Sequence, residues 1–264
     1  MHLGPVGAAL GTTLSQAVSV ILALCMFVRH KEILPSKEDF KISHFIMGKL
    51  IKIGLPVSLQ DGFVQIAFIA ITIIANRRGL NDAAAVGIVE KIIGFLFLVP
   101  SSLLSSVSAL SAQNIGAQKP ERAVLTLRYA IYMAVSFGLL VSVIAQFNAD
   151  SVVRLFTSDH TVVTMGGEYL RGYIWDCLLA GIHFCFSGYF CACGHSELSF
   201  MHNMITLFFA RIPGVYLASI MYPHTLFPMG LVTAAGSLVS VIICLIAFAW
   251  LQRRAQNKQV QSAI

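Results

Sequence analysis

Charged residues are scarce in this sequence. Only 11% of its 264 residues are Asp, Glu, Lys or Arg, and 57% are hydrophobic, whereas soluble domains carry about 25% charged residues. This composition excludes an ordinary soluble domain. The net charge of +6 is spread between apolar runs and forms no basic patch of the kind that binds nucleic acid. The sequence therefore predicts an integral membrane protein whose partner is a lipid bilayer, with no nucleic acid bound.

Motifs of enzymatic chemistry are also absent. The sequence contains no P-loop, no H-E-x-x-H and no G-x-S-x-G, so we predict neither an enzyme nor transport driven by nucleotide hydrolysis. Five of the six cysteines lie within apolar runs, where a thiol behaves as a small hydrophobic group. Cys191, Cys193 and His195 form a C-x-C-x-H cluster, but no second ligand pair follows at a spacing typical of zinc sites. We expect no disulfides, no metal and no cofactor.

Seven apolar runs are each long enough to cross a bilayer as a helix, which takes about 20 residues. They are 4–28, 50–74, 83–109, 123–145, 169–191, 200–221 and 227–251. Because a segment in lipid must satisfy its backbone hydrogen bonds internally, runs of this length are helices. The predicted fold class is all-α, a polytopic membrane bundle of seven spans. Between the fourth and fifth spans we expect a long loop, Phe147 to Glu168, with a short surface helix at 152–156.

Lys and Arg are unevenly distributed between the two sides of this bundle. Segments on the side of Arg29 hold ten of them, and segments on the other side hold three. The first group is Arg29, Lys31, Lys37, Lys41, Lys49, Lys119, Arg122, Arg253, Arg254 and Lys258, and the second is Arg77, Arg78 and Arg154. Cytoplasmic segments carry the excess of Lys and Arg, so we predict a cytoplasmic C-terminus in a plasma (inner) membrane. Other basic residues, including Arg171 and Arg211, lie in or beside spans, where long side chains can reach the headgroups.

The second apolar run contains two residues that are unusual in a membrane helix, Pro56 and Asp61. Proline removes a backbone donor and bends a helix, and a carboxylate at the bilayer centre costs about 2.5–3.5 kcal/mol. Ser58 and Gln65 are placed on the same face as Asp61 by helical spacing. We therefore predict that this polar face borders a wet cavity, with an Asp paired to a neighbouring helix as the structural alternative.

Further polar residues lie in the third and fifth runs. Glu90 is about two turns from the outer end of its run, so ligand binding, a structural pair and snorkelling to the headgroups are all open. Asp176 is ~10 Å from the outer end of the fifth run, and we predict a functional role, with a pair to Arg171 as the alternative. His183 lies on the same face and could relay protons, although most histidines in such positions are packing residues.

Bent helices with buried carboxyl groups on separate spans are typical of a secondary transporter that binds its substrate near the bilayer midplane. Pro56 and Pro100 each interrupt a run that also carries an acidic residue. With no nucleotide-binding motif, transport would be driven by an ion gradient. We predict that Asp61, Asp176, Gln65, Ser58, His183 and Glu90 form the substrate or cation site.

Short motifs along the chain resemble the second half of the multidrug and toxic compound extrusion (MATE) family, in the family's order. They are GPVGAA at 4–9, IGLP at 53–56, QNIGA at 113–117, the small-residue cluster at 187–194 and RIP at 211–213. They are similar to the starts of the sixth and seventh helices, the segment after the eighth, the end of the tenth and part of the eleventh. The resemblance covers nearly the whole chain.

The resemblance implies an antiporter of twelve helices in two six-helix lobes, which expels cationic or amphipathic drugs in exchange for Na⁺ or H⁺. On that basis residues 1–28 are the last helix of the N-lobe, 29–49 the cytoplasmic linker between lobes, 50–251 the six-helix C-lobe and 252–264 a cytoplasmic tail. The chain would then be a fragment that lacks its N-terminal lobe.

The family's acidic positions are matched only to within one helical turn. The acid of the seventh helix would fall near Val64, one turn after Asp61, and Asp176 lies about one turn before the acid of the tenth helix. Two alternatives stay open at this point. A flippase for lipid-linked oligosaccharides should have a more cationic cavity, and a non-transporting membrane subunit should bind no cation.

Overall fold

Helices make up nearly all of the described chain. The structure is a computed structural model that describes residues 4–29 and 43–262, with side chains at 7, 9–29 and 43–254. The helices are α1 (Gly4–Arg29), α2 (His44–Arg78), α3 (Leu80–Leu96), α4 (Leu98–Gly116), α5 (Pro120–Arg154), α6 (His160–Tyr173), α7 (Trp175–Ala192), α8 (Ser196–Ile205), α9 (Ile212–Met221) and α10 (Phe227–Ser262). A π-helical turn, Thr206–Arg211, joins α8 to α9.

The prediction of seven membrane-spanning helices is confirmed. The candidate spans are Ala9–Arg29, His44–Arg78, Leu80–Gly116, Pro120–Arg154, His160–Ala192, Ser196–Met221 and Phe227–Arg254. Three of them combine successive helices, namely α3 with α4, α6 with α7, and α8 with the π-helical turn and α9. The all-α polytopic fold class is therefore correct, and most spans extend beyond the predicted bounds.

Proline explains two of the internal interruptions. Pro100 lies in the first turn of α4, where its missing backbone donor is tolerated because a first turn has unpaired donors anyway. Pro213 is the second residue of α9, directly after the π-helical turn. It removes the hydrogen bond that an α-helix would form to the turn before it, and the wider π-helical turn occupies that position. Pro56 lies inside α2, which continues past it.

The structure divides into two compact units, Met1–Lys49 and Leu50–Ile264. In the first unit the described side chains from Ala9 to Arg29 are exposed along the whole of α1. In the same unit the Lys49 ammonium lies 4.3 Å from the centre of the Phe45 ring. The predicted linker 29–49 lies mostly outside the described residues, as do Lys31, Lys37 and Lys41, and the predicted domain boundaries stay predictions.

The core of the second unit consists of two apolar clusters. One gathers buried residues of α2, α3, α5, α6, α9 and the start of α10 around Tyr169 and Tyr173. The other gathers residues of α4, α5, α7 and α10 around Phe186 and Phe190. Asp176 and His183 lie on α7. In the sequence they stand between Ile174 of the first cluster and Cys185 of the second.

Glycines allow the helices of this core to approach closely. A Cβ atom added at Gly172 in α6 would overlap the backbone of α10 at Phe227, and one added at Gly230 would lie 2.5 Å from the Tyr169 carbonyl oxygen. The two glycines thus face each other where α6 crosses α10. A similar approach occurs at Gly188, where an added Cβ would overlap the Leu104 carbonyl oxygen of α4.

The predicted long loop from Phe147 to Glu168 is wrong. Helix α5 continues to Arg154 because Ala149 and Val153 are buried in the core and hold two further turns in place. Helix α6 begins at His160, capped by the Asp159 side chain, whose Oδ1 accepts hydrogen bonds from the backbone amides of Thr161 and Val162. The connection is therefore reduced to residues 155–159, and 152–156 form no separate helix.

Candidate functional site

A polar cavity of about 120 Å³ lies inside the second unit, bordered by α2, α7, α8, the π-helical turn and α10. Its ionisable lining residues are Asp61, Asp176, His183 and Arg211. Its neutral polar lining residues are Gln60, Asn203, Thr206, Ser237 and Ser240. The other lining residues are apolar, namely Val64, Phe68, Phe97, Ala180, Phe184 and Leu207. Ionisable groups set among apolar side chains of a membrane bundle indicate a site that holds water, ions or a polar ligand.

Asp176 and Arg211 form an ion pair at one side of the cavity. The Arg211 Nη2 atom lies 2.5 Å from Asp176 Oδ2, and the side chains are 13% and 0% exposed. The same nitrogen lies 3.4 Å from the Tyr173 hydroxyl, and the guanidinium is 5.8 Å from the Tyr173 ring centre. Burial of both charges is tolerated because each neutralises the other.

Asp61 has a different environment. It is exposed, and it makes no hydrogen bond or ion pair with the described residues, although it lines the same cavity. Its neighbour Gln60 is anchored, because its Oε1 accepts a hydrogen bond of 3.0 Å from the Ser199 hydroxyl of α8. The cavity therefore holds one paired carboxylate and one free carboxylate.

One histidine, His183, lines the cavity, and a second, His202, packs against it. His202 is fully buried, and its two ring nitrogens hydrogen bond to the hydroxyls of Ser187 (2.9 Å) and Ser240 (2.6 Å). The His183 ring lies 5.6 Å from the His202 ring. His183 is 6% exposed, and its Nδ1 has no hydrogen-bond partner. His202 is thus held in place by its serines, whereas His183 has a free ring nitrogen.

Four cavity-lining residues each have a buried polar atom that finds no hydrogen-bond partner in the part of the chain that the structure describes. The atoms are Asp176 Oδ1, His183 Nδ1, Thr206 Oγ1 and Arg211 Nε. The Ser237 hydroxyl lies near Asp176 but outside ordinary hydrogen-bond geometry. Buried polar groups in proteins are almost always satisfied by protein or by ordered water. Their grouping in residues of one cavity indicates that a polar occupant completes them.

Three of the six predicted site residues come together here, namely Asp61, Asp176 and His183. The cavity face of α2 consists of Gln60, Asp61, Val64 and Phe68. Val64 and Asp61 therefore share a face, as helical spacing predicts. The assignment of these residues to a ligand site stays a prediction.

The other three predicted site residues do not line this cavity. Gln65 comes one residue after Val64, so it points about 100° away around the helix, and it is exposed. Ser58 lies about one turn before Asp61 and is also exposed. Glu90 lies on α3, where its Oε2 is 3.4 Å from the Thr72 hydroxyl and its buried Oε1 has no partner.

The alternative pairing of Asp176 with Arg171 is wrong. Arg171 pairs instead with Asp150 of α5 at 2.9 Å. Arg211, expected to reach the headgroups, is the actual partner of Asp176. The sequence did contain a signal for it, since an arginine directly before Ile212-Pro213 within an apolar run needs an acidic partner. Gln60, Asn203 and Thr206 carried no comparable signal.

The fold and the cavity together define a polytopic α-helical membrane protein with a polar site enclosed by its helices. The MatE family profile matches residues 56–217, more than half of the chain. The chain belongs to the MatE family.

Curated relatives and solved structures agree with this assignment. The chain is 28% identical over 202 residues to the multidrug export protein MepA of Staphylococcus haemolyticus, covering 75% of this chain and 44% of that protein. It is 25% identical to the probable multidrug resistance protein YoeA of Bacillus subtilis, covering 68% and 40%. The chain thus spans less than half the length of these relatives.

The solved structures show the fold alone, because their identity to this chain is low. A crystal structure of MATE in complex with MaL6 matches with a TM-score of 0.83 and 22% identity, covering 97% of this chain and 58% of that one. A MOP superfamily transporter from Pyrococcus furiosus matches with a TM-score of 0.81 and 22% identity, covering 96% and 57%.

Proposed function

We propose that this chain forms the ion-coupling lobe of a secondary transporter that exports cationic or amphipathic small molecules in exchange for Na⁺ or H⁺. The observation that carries the proposal is the shared cavity, which Asp61 of α2 and Asp176 of α7 both line, together with polar atoms that have no hydrogen-bond partner among the described residues. Membership of the MatE family and the similarity to multidrug export proteins support the choice of cargo.

The size of the cavity favours a small ion over a drug. A volume of about 120 Å³ is well below the roughly 300–1,000 Å³ of sites that enclose a drug-sized ligand. It suits a partly hydrated monovalent cation or a few waters that deliver a proton. The drug would then bind on a larger surface, to which the rest of the transporter contributes.

The charges of the lining favour a cation over an anion. Two carboxylates and one guanidinium leave an excess of negative charge when both acids are ionised. A flippase for lipid-linked oligosaccharides would instead need positive charge to hold the phosphate groups of its substrate.

The excess of Lys and Arg on one side of the bundle supports a cytoplasmic C-terminus.

Efflux of a fluorescent cation tests the proposal. The complete coding sequence that contains this chain is expressed in cells without other multidrug pumps, and ethidium release is followed under an imposed Na⁺ gradient and then under a pH gradient. We expect Asp61→Asn and Asp176→Asn to reduce export at least about tenfold, because each removes a charge from the coupling site.

Asp150→Asn is the matched control, because Asp150 pairs with Arg171 and does not line the cavity. Rates are normalised to the amount of protein in the membrane. Export at the wild-type rate by both cavity variants would overturn the assignment of the site. Absence of export and of any cation binding by the wild type would favour a non-transporting subunit.

A further inference from the structure

Arg211 is a cation that the protein itself places in the cavity. Its guanidinium donates a hydrogen bond to Oδ2 of Asp176. The other carboxylate oxygen, Oδ1, is buried and has no hydrogen-bond partner among the described residues. Arg211 is the last residue of the π-helical turn and precedes Pro213. Turns of this kind often occur at functional sites. Here the turn brings a long basic side chain into a cavity that would otherwise hold two free carboxylates.

The remaining lining is suited to hard cations. Besides the two carboxylates, the amide groups of Gln60 and Asn203 and the hydroxyls of Thr206, Ser237 and Ser240 supply oxygen atoms. Oxygen ligands of this type suit hard cations, and the number of charged ligands is one of the factors that set the affinity for a divalent ion such as Ca²⁺. With Arg211 paired to Asp176, the uncompensated charge is that of Asp61 alone.

We propose that Arg211 determines the charge of the cation that the cavity binds. By neutralising Asp176, it restricts the site to a monovalent cation and excludes divalent ions. The proposal rests on the proposed function, since it concerns the same site. A transporter exposed to millimolar divalent ions would benefit from this restriction, because a Ca²⁺ ion held by two ionised carboxylates would leave slowly.

Cation binding to the purified 264-residue protein in detergent tests the proposal. Titration calorimetry with NaCl and, separately, with CaCl₂ is compared for the wild type, Arg211→Gln and Arg211→Lys. We expect Arg211→Gln to bind Ca²⁺ at least about tenfold more tightly than the wild type, because two uncompensated carboxylates then face one cavity. Arg211→Lys keeps the positive charge and should retain the wild-type preference.

Arg171→Gln is the matched control, because it removes an arginine whose partner, Asp150, lies outside the cavity. The double variant Asp176→Asn/Arg211→Gln should not gain Ca²⁺ binding, since only one carboxylate remains. If Arg211→Gln binds Ca²⁺ no more tightly than Arg171→Gln does, the proposal is overturned. A gain of equal size in the double variant would also overturn it, because the gain would not depend on Asp176.

If Arg211→Gln is not monodisperse, a second comparison tests the proposed role of Arg211. In Asp176→Asn the Arg211 charge is unpaired and competes for Asp61, so Na⁺ binding should be about tenfold weaker than in the double variant. Equal Na⁺ binding by the two would overturn the proposal. If the wild type binds neither Na⁺ nor a proton, the proposed function falls, but a gain of Ca²⁺ binding in Arg211→Gln would still support the role of Arg211.

Discussion

The two carboxylates of the cavity belong to helices that differ strongly in how they are held. Most of the span formed by α6 and α7 is buried, and Asp176 within it is fully enclosed and paired. Helix α2 has only three buried residues, Ala67, Ile71 and Ala75, all in its second half, and Asp61 is exposed and unpaired among the described residues. One acid is thus part of the core, and the other lies on a helix with few contacts.

Most of the polar contacts of helix α2 are made at its C-terminal end. Arg78 pairs with Asp82 at 2.6 Å and donates a hydrogen bond to the carbonyl oxygen of Ser219 in α9. It also donates hydrogen bonds to the carbonyl oxygens of Tyr222, Pro223 and Thr225 in the connection between α9 and α10. Elsewhere α2 is held by the apolar contacts of Ile71 and Ala75, by the Phe63 ring against Phe200 and Phe208 and by single hydrogen bonds, such as that from Ser199 to Gln60. This difference teaches that α7 supplies the buried half of the cavity and α2 the half with fewer contacts.

The largest expected effect is that of removing the buried charge from α7. Asp176→Asn leaves Arg211 buried without its counter-ion and should lower the free energy of unfolding by about 3–5 kcal/mol. Asp61→Asn should change it by less than about 0.5 kcal/mol, since an exposed unpaired carboxylate contributes little. Thermal or denaturant unfolding in detergent measures both. Equal loss in the two variants would abolish the contrast between the helices.

Loss of the ion pair and hydrogen bonds of Arg78 should have the next largest effect on the free energy of unfolding. Arg78→Gln loses a charged donor that hydrogen bonds to four carbonyl oxygens. A hydrogen bond to a charged group contributes about 1.5–3 kcal/mol to the free energy of unfolding. We expect a loss of about 3 kcal/mol and faster hydrogen exchange along α2. The adjacent Arg77 is exposed, so Arg77→Gln is the control and should leave both measurements unchanged. Unchanged exchange in Arg78→Gln would show that α2 is held by other contacts.

Glycine replacement compares the packing of the two spans directly. Gly172→Ala forces a methyl group against the backbone of α10 and should destabilise the protein by about 1–3 kcal/mol. Gly62→Ala in α2 meets no atom within 4 Å and should be neutral or slightly stabilising, since alanine favours a helix. The melting temperatures of the two variants measure the difference. A melting temperature for Gly172→Ala at or above that of Gly62→Ala would contradict the close crossing of α6 and α10.

Much of the fold was predictable from the sequence, because long apolar runs have only one way to satisfy their backbone in lipid. The seven spans followed from run lengths alone, and Asp61 and Asp176 were singled out by the energy needed to bury a carboxylate. The long loop after Phe147 was wrong, since the polar residues there hid a helix that Ala149 and Val153 extend by packing. Gln65 does not line the cavity, because helical spacing gives relative directions only, and the face of α2 that borders the cavity depends on its neighbours.

The sequence by itself determined that this chain crosses a membrane several times and carries acids that need a polar setting. Both conclusions depend on the free energy of transferring groups between water and hydrocarbon, which each segment carries locally. Only the tertiary structure decided that Arg211 pairs with Asp176 while Asp61 has no partner among the described residues. Residues 35 positions apart become partners because the fold brings the Arg211 side chain of the π-helical turn to Asp176 of α7, and no local pattern encodes which charges the fold brings into contact.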